Sequence, residues 1–141
     1  MKWVTREKAH VDRIACPWLI SRFIDKNAEF LFVPPPKVLE TAKNENAIPF
    51  DYSGVELGHH GNECSFDAIV KKYNVTDPAV LELANVVRGA DTNNPGLSPF
   101  SAALEAIATG FGRISKDDFD NMSRQFHTYD ALYAYFKAKT A

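Results

Sequence analysis

The stretch Phe119-Asp120-Asn121-Met122-Ser123-Arg124-Gln125-Phe126-His127-Thr128-Tyr129-Asp130-Ala131-Leu132-Tyr133-Ala134-Tyr135-Phe136 decides the class of fold. Its apolar positions Phe119, Met122, Phe126, Tyr129, Tyr133 and Phe136 step by three and four, the interval that gathers side chains on one face of a helix. The spacing predicts a helix to about Lys139 with that stripe buried. Ser115 and Asp118, just upstream, have the spacing of a capping box with Asp in place of the usual Glu. Further back, Ser98-Pro99 opens a helix to about Thr109, and Thr76-Asp77-Pro78 opens one to about Gly89. In each a capping residue precedes a proline, whose missing N–H costs nothing at the first helical position. Another helix is expected from about Ser65 to Tyr73.

The first third of the chain alternates. Trp3-Val4-Thr5 reads as a short strand. Ile14 to Asp25 reads as a helix with Pro17 near its start and Cys16 at or near its N-cap. Glu29-Phe30-Leu31-Phe32-Val33 reads as a buried strand, stopped by Pro34-Pro35-Pro36. Val38 to Asn44 reads as a short helix and Ala47 to Asp51 as a further strand. Strand, helix, strand, helix, strand and then four helices predict an α+β fold, mainly helical with a small β-sheet, as one compact domain over residues 1–141.

Composition narrows the function. A chain of 141 residues buries about two-thirds of its unfolded surface and needs no disulfide or structural metal to hold a core. With 16 basic and 18 acidic residues it has no cationic excess to neutralise phosphates, so nucleic-acid binding by this domain alone is not expected. Two cysteines, Cys16 and Cys64, form no CxxC pair, which points to a reducing compartment, the cytoplasm. Met1 to Lys8 is charged and lacks an apolar core, so no signal peptide is expected there. No apolar run approaches the ~18 residues of a membrane span.

Chemistry-bearing residues concentrate in Glu56-Leu57-Gly58-His59-His60-Gly61-Asn62-Glu63-Cys64-Ser65-Phe66-Asp67. Histidine and carboxylate on a glycine-flanked loop leading into a helix can converge on one ion, with imidazole suiting Zn, Fe, Mn or Ni. The spacing matches no standard zinc motif, and a solvated loop with one histidine holding the turn fits equally. Asp91 continues the apolar stripe Val80, Ala84, Val87 by one step of four. Either the helix direction persists and turns this acid toward the core, where it must be paired, protonated or metal-bound, or the helix ends at Gly89 and Asp91 caps the following turn. Asp12 either faces the same pocket as His59 or pairs with Arg13. Cys16, near a helix start and beside Arg13, is either a thiol of lowered pKa or a small buried residue. His127 and Asp130 share a helical face.

These segments resemble a family. Val11-Asp12-Arg13-Ile14-Ala15-Cys16-Pro17-Trp18-Leu19-Ile20 and Arg22-Phe23-Ile24-Asp25 are similar to the opening of the C-terminal domain of the bacterial chromate-resistance protein ChrB. Glu29 to Val33, Ile48 to Asp51, Gly58 to Gly61, Cys64 to Asp67, Arg88-Gly89-Ala90-Asp91-Thr92 and Tyr129 to Tyr133 extend the resemblance over nearly the whole chain. It implies a role in chromate resistance beside an efflux transporter, with chromate-responsive regulation. Longer members carry an N-terminal domain, the better candidate for any DNA contact. The positions carried over as the site are Asp12, Arg13, His59, Asp67 and Asp91.

Three functions are therefore weighed. The first is a divalent metal site (Zn, Fe or Mn) with His59, Asp91, Asp67 and Asp12 as ligands and an open position for water or substrate. The second is a non-enzymatic sensor of an oxyanion such as chromate, held by Arg13, Arg22 or Arg88 with His60 nearby. The third is thiol-based chromate reduction by Cys16 and Cys64, which requires their Cα atoms within about 7 Å. The expected partner is a small ion or small molecule, and the oligomeric state is open.

Overall fold

The computed structural model describes residues 1–140. Three short strands, β1 (Lys2–Arg6), β2 (Glu29–Val33) and β3 (Ile48–Pro49), form one parallel sheet in the order β2-β1-β3. Trp3 pairs with Phe30 on one side and Ile48 on the other. A central parallel strand is covered on both faces, and Trp3, Val4 and Thr5 are all fully buried. Parallel neighbours need a crossover. Helix α1 (Asp12–Leu19) supplies the first and α2 (Val38–Asn44) the second. Four helices follow: α3 (Ser65–Lys72), α4 (Pro78–Asp91), α5 (Ser101–Ile114) and α6 (Asp118–Thr140). The α+β expectation holds, with α4 packed against both α5 and α6, and α6 against α1. None of the described helices is long and apolar enough to cross a membrane.

Trp18 joins the two halves. It is fully buried, with Phe23, Tyr129 and Tyr133 at ring-centroid distances of 5.7, 6.1 and 5.9 Å. Burying an aromatic of that size is worth about 4–6 kcal/mol at ~25 cal/mol per Å². Its indole N–H donates to Asp130 at 2.7 Å, so the polar edge is not left unpaired.

Four local expectations are corrected. Helix α1 starts at Asp12, so Pro17 and Cys16 lie inside it rather than at its start. The N–H groups of Arg13 and Ile14 already bond His10 and Val11 carbonyls, which begins the winding early. One turn past Pro17 the chain winds as a π-helix over Ile20–Ile24. The buried line of α6 is Asn121, Gln125, Tyr129 and Phe136, with Phe119 half exposed. It is rotated from the apolar stripe because Asn121 and Gln125 bond each other and the Ala9 carbonyl (2.6 and 3.3 Å), which offsets part of the cost of burying them and leaves Gln125 Oε1 without a partner among the described residues. The Ser115–Asp118 capping box does not form, because Asp118 accepts from the Lys8 and Ala9 N–H groups of a distant loop. Helices α4 and α5 run on to Asp91 and Ile114, past the expected ends at Gly89 and Thr109.

Candidate metal centre

From β1 the chain crosses to one side as β2 and returns on the other as β3, so the sheet reverses its strand order beside β1. In open parallel sheets such a reversal leaves a crevice beyond the carboxyl ends of the strands, where ligands bind. Both strands deliver an acid there: Asp12 opens the helix after β1, and Asp51 follows β3 across Phe50. The site lies at this crevice.

Asp12 is fully buried. Its Oδ2 accepts the Ser65 N–H at 2.8 Å, so the positive end of the α3 dipole faces the carboxylate. Its Oδ1 accepts the Cys16 thiol at 3.7 Å. Asp51 accepts the Ser65 hydroxyl at 2.7 Å through Oδ1, and its Oδ2 lies 3.1 Å from Arg13 and 3.2 Å from Arg6. Asp91 is the last residue of α4, and its Oδ1 accepts the Asp12 N–H at 3.4 Å. Its position answers the open question: the helical direction persists to Asp91 and carries it inward.

His59 closes the group from the loop between β3 and α3. The loop is anchored where the Asp51 N–H donates to the Leu57 carbonyl at 2.9 Å. Gly58 lets it fold back, since a Cβ there would lie 2.7 Å from the Tyr52 carbonyl oxygen. The His59 Nε2 then stands 2.9 Å from Asp91 Oδ2, 3.2 Å from Asp51 Oδ1 and 3.4 Å from Asp12 Oδ2. One donor atom from each of Asp12, Asp51, His59 and Asp91 lies within 4.8 Å of the others. The imidazole is 45% exposed while the acids are buried or nearly so, and the group therefore opens to solvent on the histidine side.

Burial and the facing Asp91 push Asp12 up to about 7, against the opposing pull of His59. Burial and Asp51 raise Asp91 as well. Asp51 behaves oppositely: burial would raise it, but His59, Ser65, Arg13 and Arg6 together hold it down at about 2. Hydrogen bonds to Asp12 and Asp51 lift His59 to about 10. Without a metal, one shared imidazolium proton faces three carboxylates and bonds well to only one at a time.

The other expected site residues go elsewhere. Asp67 caps α3, accepting the Cys64 N–H at 3.0 Å, and its other oxygen binds Arg88 at 2.9 Å. Neither joins the four-residue group. The ring of His60 donates to the Glu56 carbonyl at 2.7 Å and holds the turn. Arg13 lines the group but is bound to Asp51 and to the Lys8 carbonyl, at 3.1 and 3.0 Å. Cys16 and Cys64 are fully buried, and burial followed by the nearby Asp12 charge pushes both thiols up, away from thiolate.

Sequence reading missed Asp51, Arg6 and Ser65. Asp51 had a signal: it closes the stretch Ala47 to Asp51 that reads as a strand, as Asp12 follows Trp3-Val4-Thr5 at a distance, and strand ends on one sheet edge meet. Arg6 had none, since its role depends on which strand lies beside β1.

Residues 3–136 match the family described as ChrB, C-terminal domain. Protein ChrB of Cupriavidus metallidurans is 28% identical over 140 residues, covering 97% of this chain and 41% of that protein. The chain thus spans about two-fifths of the length of that curated relative. No solved structure matches it.

Proposed function

From the premise that this chain belongs to the ChrB C-terminal domain family, we propose that it is the metal-binding unit of a chromate-resistance protein, holding one divalent ion between Asp12, Asp51, His59 and Asp91. A single imidazole nitrogen facing three carboxylate oxygens at 2.9, 3.2 and 3.4 Å carries the reading. Neighbouring ligands of an ion with ~2.1 Å bonds in octahedral array are themselves about 3 Å apart, which is close to the separation of His59 Nε2 from each of the three carboxylates. A cation among them offsets the burial and the like-charge repulsion that raise Asp12 and Asp91, and it frees His59 of its proton. Three oxygens and one nitrogen favour Mn²⁺ or Fe²⁺ over Zn²⁺, which prefers more nitrogen or sulfur.

Supporting groups fit the same reading. Ser65, Arg6 and Arg13 fix the orientation of the acids, as outer groups do in metal sites. A cavity of about 330 Å³ lined by Arg6, Asp51, Tyr52, Ser53, Gly54 and His59 adjoins the group and gives a small ion or molecule access. A bound divalent ion would supply Lewis acidity and an acidified water there. The oxyanion-sensor reading through Arg13 and Arg88 is weaker, because an incoming anion has to displace Asp51 or Asp67 from them.

Elemental analysis of the purified protein and calorimetric titration of the chelator-treated chain with Mn²⁺, Fe²⁺ and Zn²⁺ test the proposal. One equivalent is expected, with Mn²⁺ or Fe²⁺ bound most tightly relative to its usual rank. His59→Ala and Asp91→Asn should each weaken binding at least as much as the roughly 10–100-fold typical of outer supporting groups. Metal at trace level, no saturation at millimolar ion and unchanged variants would remove the reading.

A further inference from the structure

A second concavity, of about 390 Å³, lies between the loop after β1, the C-terminal half of α5 and the turn into α6. Lys8, Arg113 and Lys116 line it, together with the apolar surface of Ala9, Ala108 and Gly112. The arginines that sequence reading offered as anion holders are all bound to acids: Arg13 to Asp51, Arg22 to Asp130 and Arg88 to Asp67. Lys8, Arg113 and Lys116 have no such partner among the described residues; Lys8 and Lys116 bond acids only through their backbone N–H groups.

Asp117 and Asp118 also line this cavity, and each is engaged by backbone N–H groups. Asp118 accepts the Lys8 and Ala9 N–H groups at 2.9 and 2.6 Å, holding Lys8 at a φ of 60°, in the left-handed region. Asp117 accepts the Asp120 N–H at 2.8 Å, and His10 faces Glu105 at 3.6 Å. One hydroxyl is left over: Ser115 Oγ is shut off from solvent, lines the cavity and has no partner among the described residues. Such an orphan costs about 1–3 kcal/mol unless something supplies its bond. Asn121, 3% exposed, also lines the cavity and is fixed by its bonds to Ala9 and Gln125.

We propose that this cavity binds a phosphate group, free or carried on a small organic body. Three unpaired cations outnumber the two lining carboxylates and suit a dianion with several terminal oxygens. The apolar wall, and a volume within the ~300–1,000 Å³ range of small-molecule sites, leave room for a body attached to it. The cavity is lined by none of Asp12, Asp51, His59 and Asp91.

Calorimetric titration of the intact chain with inorganic phosphate, adenosine monophosphate and adenosine tests it. Phosphate and the monophosphate should both saturate at millimolar or lower concentration, and adenosine should not bind. Tighter binding of the monophosphate assigns the source as an organic phosphate, and equal affinities assign it as free phosphate. Arg113→Gln and Lys116→Gln, both at exposed positions, should each weaken binding about tenfold, the loss of one charge-assisted hydrogen bond. Asp91→Asn should leave it unchanged. No saturation by either phosphate, equal binding of adenosine, or undiminished affinity in both cation variants overturns the proposal.

Discussion

Asp51 and Asp12 are the same residue type a few ångströms apart, yet their surroundings give them opposite behaviour. Asp51 has two guanidinium groups and a hydroxyl to itself, whereas Asp12 has a backbone N–H, a thiol and the facing charge of Asp91. Asp51 is therefore the ionised anchor of the group. Removing one partner of a buried ion pair costs about 3–5 kcal/mol, because the other charge stays buried unpaired. Asp51→Ala strands Arg13, 16% exposed, and deprives Ser65 of its acceptor. We expect a loss of that size in urea unfolding of the metal-free chain, and a smaller one for Asp12→Asn, whose amide oxygen still accepts the Ser65 N–H. A cost below about 1 kcal/mol for Asp51→Ala would mean that Arg6 and Arg13 find solvent or other acceptors readily, and the anchor role would fall.

Helix α4 carries Asp91, and its other end is fixed by Asp77. That side chain accepts the Ala79 N–H at 2.9 Å and the Tyr133 hydroxyl at 2.6 Å, tying the start of α4 to α6. Burial alone would raise the Asp77 pKa, but Tyr133, the Ala79 N–H and Lys137 together bring it below its ordinary value of 3.8. A carboxylate lowered on folding adds stability that is complete above its unfolded value and is lost as pH falls through the folded one. Asp77→Ala should therefore cost about 1–2 kcal/mol at neutral pH, the usual worth of such a cap. The gap from the parent should shrink only below about pH 4, as followed by circular dichroism across a pH series. A constant gap down to pH 2 would show that the carboxylate charge has no part in it. This cap was legible in Thr76-Asp77-Pro78 because its signal is local. The α6 stripe was only half legible. Periodicity marked the helix, but the buried line runs through Asn121 and Gln125, whose mutual hydrogen bond depends on Ala9 at the other end of the chain. The early start of α1 was hidden for a similar reason, since proline is usually a boundary and here sits inside the helix.

At the scale of the molecule, the group of Asp12, Asp51, His59 and Asp91 exists only if β1, β3, the loop after β3 and α4 are held in one arrangement. Asp12 and Asp91 could be named from the sequence because each stands at the edge of a recognisable element, and His59 because it lies in a glycine-flanked loop rich in histidine and acids. Which strand end lies beside which could not, and so Asp51 escaped. Gly89 tests this dependence from a distance. It is two residues from Asp91, where α4 meets the start of α5. A Cβ there would lie 2.3 Å from Ser101 Oγ, 2.9 Å from Ser101 Cβ and 2.9 Å from the Asn94 carbonyl oxygen. Alanine in place of helical glycine ordinarily gains about 0.5–1 kcal/mol. The contact reverses that sign, because the Ser101 hydroxyl is held on the Val86 carbonyl at 3.0 Å and cannot swing away without losing its bond. Overpacking of this kind costs about 1–3 kcal/mol. Gly89→Ala should accordingly lower stability and, by displacing the last turn of α4, draw Asp91 off His59 and weaken Mn²⁺ binding several-fold. Adding Ser101→Gly removes two of the three close contacts and should restore part of both. Unfolding curves and Mn²⁺ calorimetry on the single and double variants measure the two effects together. A Gly89→Ala chain as stable as the parent would show that α4 and α5 can part freely. One destabilised but binding Mn²⁺ unchanged would show that the centre tolerates movement of the helix that supplies Asp91.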